Sequence, residues 1–250
     1  MIRHLLQLIW NQRKQNAWLW AELLLVSVFL WFLVDYLYVM GRTYTAPLGF
    51  DIRHTYSIVI SSLSERSPDY IPKEKRERPD GVHLLTALDR IRAYPGVESA
   101  CLTDGGMPYY MGSRNLVWRI DTLQVPCRYA FVTPEFFDVF RIYDKDGKTA
   151  SLKRAIEDNN SIVISADVET MNPGLSLLGQ KAYRGNVTDE IEETIRGISV
   201  PIRRHEYTKA EPNVYRALRL SRMEEGYYEG MIDAVRLCVR VRPDVDNADF

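Results

Sequence analysis

Cysteine is scarce: Cys101, Cys127 and Cys238 are the three in a chain of 250 residues. So small a set excludes a disulfide-knit scaffold, which needs a dense, paired complement. It leaves two readings, buried free thiols or a single Cys101–Cys127 bridge if the domain lies in an oxidising compartment. Histidine is nearly as scarce, and His4, His54, His83 and His205 stand at no metal-ligand spacing with one another or with cysteine. Charge of one sign is not in excess, since 32 Lys and Arg against 33 Asp and Glu give a net charge of −1. The signs are also interleaved, so there is no basic face to attract nucleic acid. Internal repeats and low-complexity tracts are missing. What remains is 46% hydrophobic and 26% charged, the make-up of an ordinary globular core in one or two domains.

One long apolar run stands out against this background. Leu23–Val34 reads LLLVSVFLWFLV, with Ser27 as its polar interruption, and Ala17–Met40 as a whole is predominantly apolar. About 22 residues at 1.5 Å each cross a hydrocarbon layer of about 30 Å. Trp18 and Trp20 at one end and Tyr36 and Tyr38 at the other match the two aromatic belts of a membrane span. Arg3, Arg13 and Lys14 precede the run while Arg42 follows it, which orients the N-terminus to the cytoplasm. A cleaved signal peptide fits worse: the run is too long, and cleavage after Ala46 would put Tyr44 where a small residue is needed. Glu22 and Asp35, each about a turn from an end, either snorkel to the headgroups or face partner helices. Upstream, Ile2, Leu5, Leu6 and Ile9 form a helical stripe, read as an amphipathic helix on the inner membrane surface or as an extension of the span. The expected division is 1–16 amphipathic helix, 17–40 transmembrane helix and 41–250 outer domain.

Beyond the span, hydrophobic periodicity predicts strands at 51–62, 97–103, 115–121, 125–132, 161–165, 193–200, 213–220 and 234–242. In the last, Val235, Leu237, Val239 and Val241 alternate with Arg236, Cys238, Arg240 and Arg242, one face buried and the other cationic and solvated. Helices are predicted over 82–94, ended by Pro95-Gly96, and near 166–171, with one more turn at 175–179. Thr133-Pro134-Glu135 reads as a helix start with a capping hydroxyl, opening a helix through Phe140. The stretch 64–80, with three prolines and the run KEKRER, reads as a solvated loop. The elements lack a βαβ rhythm. The predicted fold is therefore an α+β extracytoplasmic domain, a mixed sheet with flanking helices, preceded by one transmembrane α-helix.

No catalytic residue, cofactor site or metal site emerges from the motifs, and the chain is not expected to be an enzyme. Gly147-Lys148-Thr149 ends like a phosphate loop, but Ile142 stands where a glycine is required. Asp144–Gly147 resembles part of a calcium loop, yet Ile142 and Lys153 occupy carboxylate positions. No G-x-S-x-G elbow is present. Asp104-Gly105-Gly106 reads as a turn after a strand. Asn159-Asn160-Ser161 and Asn186-Val187-Thr188 are formal glycosylation sequons, meaningful only in a eukaryotic secretory pathway.

Several segments, in order, resemble the periplasmic core domain of MacB-like ABC-transporter permeases within the FtsX-like group. These are Leu84–Val97 (LLTALDRIRAYPGV), Ala130–Phe140 (AFVTPEFFDVF), Ser161–Ser165 with Gly179-Gln180-Lys181, Ile195–Val200 (IRGISV) and Cys238–Phe250. The resemblance runs from the amphipathic helix over nearly all of the outer domain, more loosely at 64–80 and at LLGQKAY. It implies a permease subunit of a bacterial inner membrane, with the main domain periplasmic and single-pass over this stretch. It also implies a cytoplasmic ABC ATPase as partner, pairing of permeases as homo- or heterodimers, and an outer domain that passes ATPase-driven motion on for export or mechanotransmission. Arg13 and Lys14 would lie near the ATPase. Such permeases continue into three further spans, so a chain ending at Phe250, with Asp246 capping the next helix, is expected to be a fragment. The alternative is a single-pass membrane sensor or binding ectodomain.

Overall fold

The computed structural model describes residues 7, 10, 17–61, 63–72, 75–110, 112, 114–184, 191–225 and 232–245. The stripe of Ile2, Leu5, Leu6 and Ile9, the Arg13-Lys14 pair, the Asn186 sequon and the Asp246 cap lie outside the described residues. Two compact units divide the chain, Met1–Pro47 and Leu48–Phe250.

The first unit holds α1, Ala17–Thr45, 29 residues without one buried side chain. The helix is long and apolar enough to cross a membrane. Its aromatic side chains, Trp18, Trp20, Phe29, Trp31 and Phe32 among them, are uncovered by protein. A water-soluble helix would bury such a surface. The helix outruns the apolar stretch by several residues, to Thr45, whose hydroxyl donates to the Gly41 carbonyl at 3.0 Å.

The second unit is α+β. Its strands are β1 (Thr55–Ile58), β2 (Val97–Asp104), β3 (Asn115–Ile120), β4 (Leu123–Val132), β5 (Ser161–Ser165), β6 (Lys181–Arg184), β7 (Ile191–Ser199), β8 (Asn213–Ala217) and β9 (Arg236–Val241). The helices are α2 (Asp80–Arg92), α3 (Phe136–Val139), α4 (Ala150–Glu157), α5 (Asp167–Met171) and α6 (Leu220–Glu224). The strands form one mixed sheet in the order β1-β9-β2-β4-β3-β6-β7-β5-β8, and β8 pairs in parallel with β4 as well. That last pairing closes β4, β3, β6, β7, β5 and β8 into a six-stranded ring, with β2, β9 and β1 extending from β4 as a wing.

Strand alternation sorts the side chains. Inside the ring lie Trp118 and Ile120 of β3, Val125 and Cys127 of β4, Ile162 and Ile164 of β5, Ala182 of β6, Ile195 of β7 and Val214 of β8, one buried cluster. The opposite faces of β4, β5 and β8 present Ala130, Val132, Val163 and Tyr215 to Phe136, Phe137, Leu152 and Ile156 of α3 and α4. On the wing, α2 lays Leu84 and Leu88 against Leu102, Leu237, Val239 and Val241.

Several expectations are corrected. The even-numbered face of β9 is solvated only toward its ends: Cys238 and Arg240 in its middle are buried, while Arg236 is half-buried and Arg242, just past the strand, is exposed. Cys238 packs with the cluster under α3. Arg240 is 1% exposed and donates to the carbonyls of Val139 (2.7 Å), Arg53 (2.8 Å) and Asp51. Three carbonyl acceptors replace the water that a guanidinium would otherwise need. Thr133 caps no helix; its hydroxyl accepts the Leu102 amide at 3.2 Å and so ties β2 to the chain entering α3. The strand at 213–220 stops at Ala217, giving way to α6, and that at 51–62 shortens to β1. The stretch 175–179 is a non-helical turn in which Glu169 Oε1 accepts the Leu177 amide at 2.9 Å. In the charged loop, Arg76 is largely buried and pairs with Asp80 at 2.6 Å. All three cysteines are free and buried; Cys101 stands directly across the ladder from Cys238, not beside Cys127.

Candidate functional site

One end of the ring does not follow the apolar pattern of its interior. Arg184 follows Ala182 by two in β6, Arg216 follows Val214 by two in β8, and Glu193 precedes Ile195 by two in β7. All three therefore point to the inside of the ring, at its mouth. Glu193 is 2% exposed, and its Oε1 accepts from Arg216 Nε at 2.8 Å and from Arg216 Nη2. Arg184 Nε lies 3.4 Å from Glu193 Oε2, and both of these atoms are buried without a hydrogen bond. The Arg216 guanidinium also stacks on the Phe131 ring at 4.8 Å. Burial pushes the Arg216 pKa down and the like charge of Arg184 adds to this, while Glu193 opposes both.

Beside this trio the mouth opens into a hollow of about 380 Å³, lined by Arg184 and Arg216 together with Arg114, Arg219, Arg222 and Asp104. Asp104, at the end of β2, is paired with Arg114, in the segment leading to β3. Burial raises the Asp104 pKa and Arg114 pulls it back. Arg219 donates to the Asn159 carbonyl at 3.5 Å.

A second hollow of about 220 Å³ shares Asp104 and Arg114 and adds Gly105, Gly106, Arg128 and Tyr215. Gly106 has φ +72°, and a Cβ there would sit 2.5 Å from that of Ala130, so the turn accepts only glycine. Arg128 Nε is buried without a hydrogen bond, and burial together with Arg204 lowers its pKa. Among the described residues, six arginines, Arg114, Arg128, Arg184, Arg216, Arg219 and Arg222, line the two hollows, against Asp104 as the carboxylate. Chemically this is a surface for holding oxyanions.

Of the described motif fragments, Asp104 lines both hollows, Gly105 and Gly106 line the second and Asn159 the first, while the fragment at 142–153 falls elsewhere. Asp144 closes its own turn, accepting from Asp146 N (2.9 Å), Lys148 N (2.8 Å) and the Ser151 hydroxyl. His54 sits in the turn before β1, at φ +55°. His83 lies on α2, and His205 accepts from the Tyr207 amide at 3.2 Å. The mouth is not legible in the sequence because its lining residues come from seven separate segments. Its one local signal is the spacing of Arg216, Arg219 and Arg222.

No family model and no curated protein matches the chain. Among solved structures, the chain is similar to a domain of a protein described as a permease from Porphyromonas gingivalis, at 20% identity over 65% of this chain and 63% of that one, TM-score 0.46. It is similar to the periplasmic region of MacB from Actinobacillus actinomycetemcomitans, at 10% identity over 83% of each chain, TM-score 0.45. It is similar also to the extracellular domain of the ABC-type transporter YknZ from Gram-positive bacteria, at 11% identity over 76% and 84%, TM-score 0.44. The chain spans less than two thirds of the first of these.

Proposed function

We propose that this chain is the front part of a MacB/FtsX-type ABC permease, with its N-terminus in the cytoplasm and its outer unit on the far side of the membrane. In this reading α1 is the first span, 1–16 an amphipathic helix on the inner surface, and the unit from Leu48 onward the relay. The relay passes motion generated by a cytoplasmic ATPase to a substrate or a partner protein. The observation that carries the reading is where the family-like segments sit. Leu84–Val97 is α2 with its turn into β2, and Ala130–Phe140 is the end of β4 running into α3. Ser161–Ser165 and Ile195–Val200 are β5 and the end of β7, paired in parallel. These are the central packed elements, met in the order of the family. A relay also needs to move as a body, and a closed ring with packed helices suits that requirement.

The test is affinity purification of the whole gene product from its native membrane in mild detergent, with identification of what comes with it. Recovery of an ABC-type ATPase is the expected result. Recovery of a kinase or phosphorelay protein without any ABC subunit would overturn the permease reading in favour of a single-pass sensor.

A further inference from the structure

Among the described residues, the ring mouth carries more guanidinium groups than carboxylates. Arg114, Arg184, Arg216, Arg219 and Arg222 stand against Asp104 and Glu193. Glu193 holds Arg216 by two hydrogen bonds and stands 3.4 Å from Arg184, and Asp104 pairs with Arg114, so the Arg216 and Arg114 forks are oriented before any ligand arrives. The hollow of about 380 Å³ falls within the size range of small-molecule sites, and the mouths of β-barrels are a common place for them. Phe131 and Ile191 supply an apolar flank beside the arginines.

We propose that the mouth of the six-stranded ring is a binding site for a dianionic phosphate group carried by a small phosphate monoester. The surplus of guanidinium groups favours a dianion, whose oxygens can accept from several of them at once, over a singly charged carboxylate. Planar guanidinium forks pair with two phosphate oxygens at once, and the non-phosphate part of the ester lies along Phe131 and Ile191. The ester is either free in solution or the headgroup of a lipid. The inference is independent of the permease reading, since it rests on the ring alone.

The experiment is isothermal titration of the full chain in a neutral detergent with inorganic phosphate, glycerol 3-phosphate and short-chain dihexanoyl phosphatidic acid. Saturable binding is expected for at least one phosphate monoester. It should weaken with added salt and with acidification below about pH 6, where the dianion takes up a proton and becomes a monoanion. Arg219→Gln, at the exposed rim, should weaken it about tenfold, as for loss of one charge-assisted pair, and Arg219→Gln/Arg222→Gln further, with the unfolding midpoint unchanged. Arg154→Gln, on α4 away from the mouth, should leave it intact. Tighter binding of glycerol 3-phosphate assigns a soluble ester, and tighter binding of phosphatidic acid a lipid. No saturable binding of any probe, or equal binding by the rim double variant and the wild type, overturns the proposal.

Discussion

Glu193 stands between two guanidinium groups with almost no water to screen them. Removing its charge leaves Arg184 and Arg216 as buried like charges, the costly half of a broken ion pair. Glu193→Leu is therefore expected to lower the stability of the unit by about 3 kcal/mol, read as a shifted urea midpoint. Asp144 carries a different kind of dependence. Burial pushes its carboxyl upward, but the hydrogen bonds from Ser151, Lys148 and Asp146 outweigh this and hold its pKa below the ordinary value. A carboxyl held low in the folded state contributes stability above the unfolded pKa and loses it as pH falls through the folded one. Asp144→Asn should thus lower stability at neutral pH while changing little below the folded pKa, so that the acid limb flattens. A variant with an unchanged acid limb would remove Asp144 from the account.

Among the elements, α4 and β7 approach each other most tightly at Gly197. A Cβ there would meet Val163 Cγ2 at 2.8 Å, Ala155 Cβ at 3.0 Å and Leu152 Cδ2 at 3.3 Å. Gly197→Ala should cost about 1–3 kcal/mol through overpacking, measured by thermal unfolding, and Ala155→Gly in the same chain should recover part of it. The element scale is also where the sequence is most and least legible. Ser161–Ser165 is a strand at its predicted bounds, because five successive buried residues leave no ambiguous face. Helix α4 went unread although Leu152, Ala155 and Ile156 share one side, since eight residues between polar turns give a short period to detect. The alternation in β9 was legible, but whether its second face meets water depends on α3, which lies far away in sequence. The arginine mouth was illegible for the same reason: strand parity places Arg184, Glu193 and Arg216 inside only once ring closure defines an inside.

For the whole molecule, the division at Pro47 and Leu48 predicts that the chain from Leu48 onward can be produced alone, soluble and with a single cooperative melt. Its three buried clusters all draw on residues past that point. Aggregation of every such product in the absence of detergent would show that α1 takes part in the core. The closure of the ring has a consequence for how the protein is made. The β3–β4 pair can form as a hairpin as soon as it is synthesised, but the other edge of β4 waits for β8, whose partner residues come more than eighty positions later. Until then, β4 presents an unpaired edge that other chains can join, and sequence-distant pairings of this kind slow folding. A nascent chain halted before Asn213 would hold an open edge and no ring. Folding rate, chaperone demand and aggregation of the newly made chain should therefore respond to changes in β8 more sharply than to equal changes in β3.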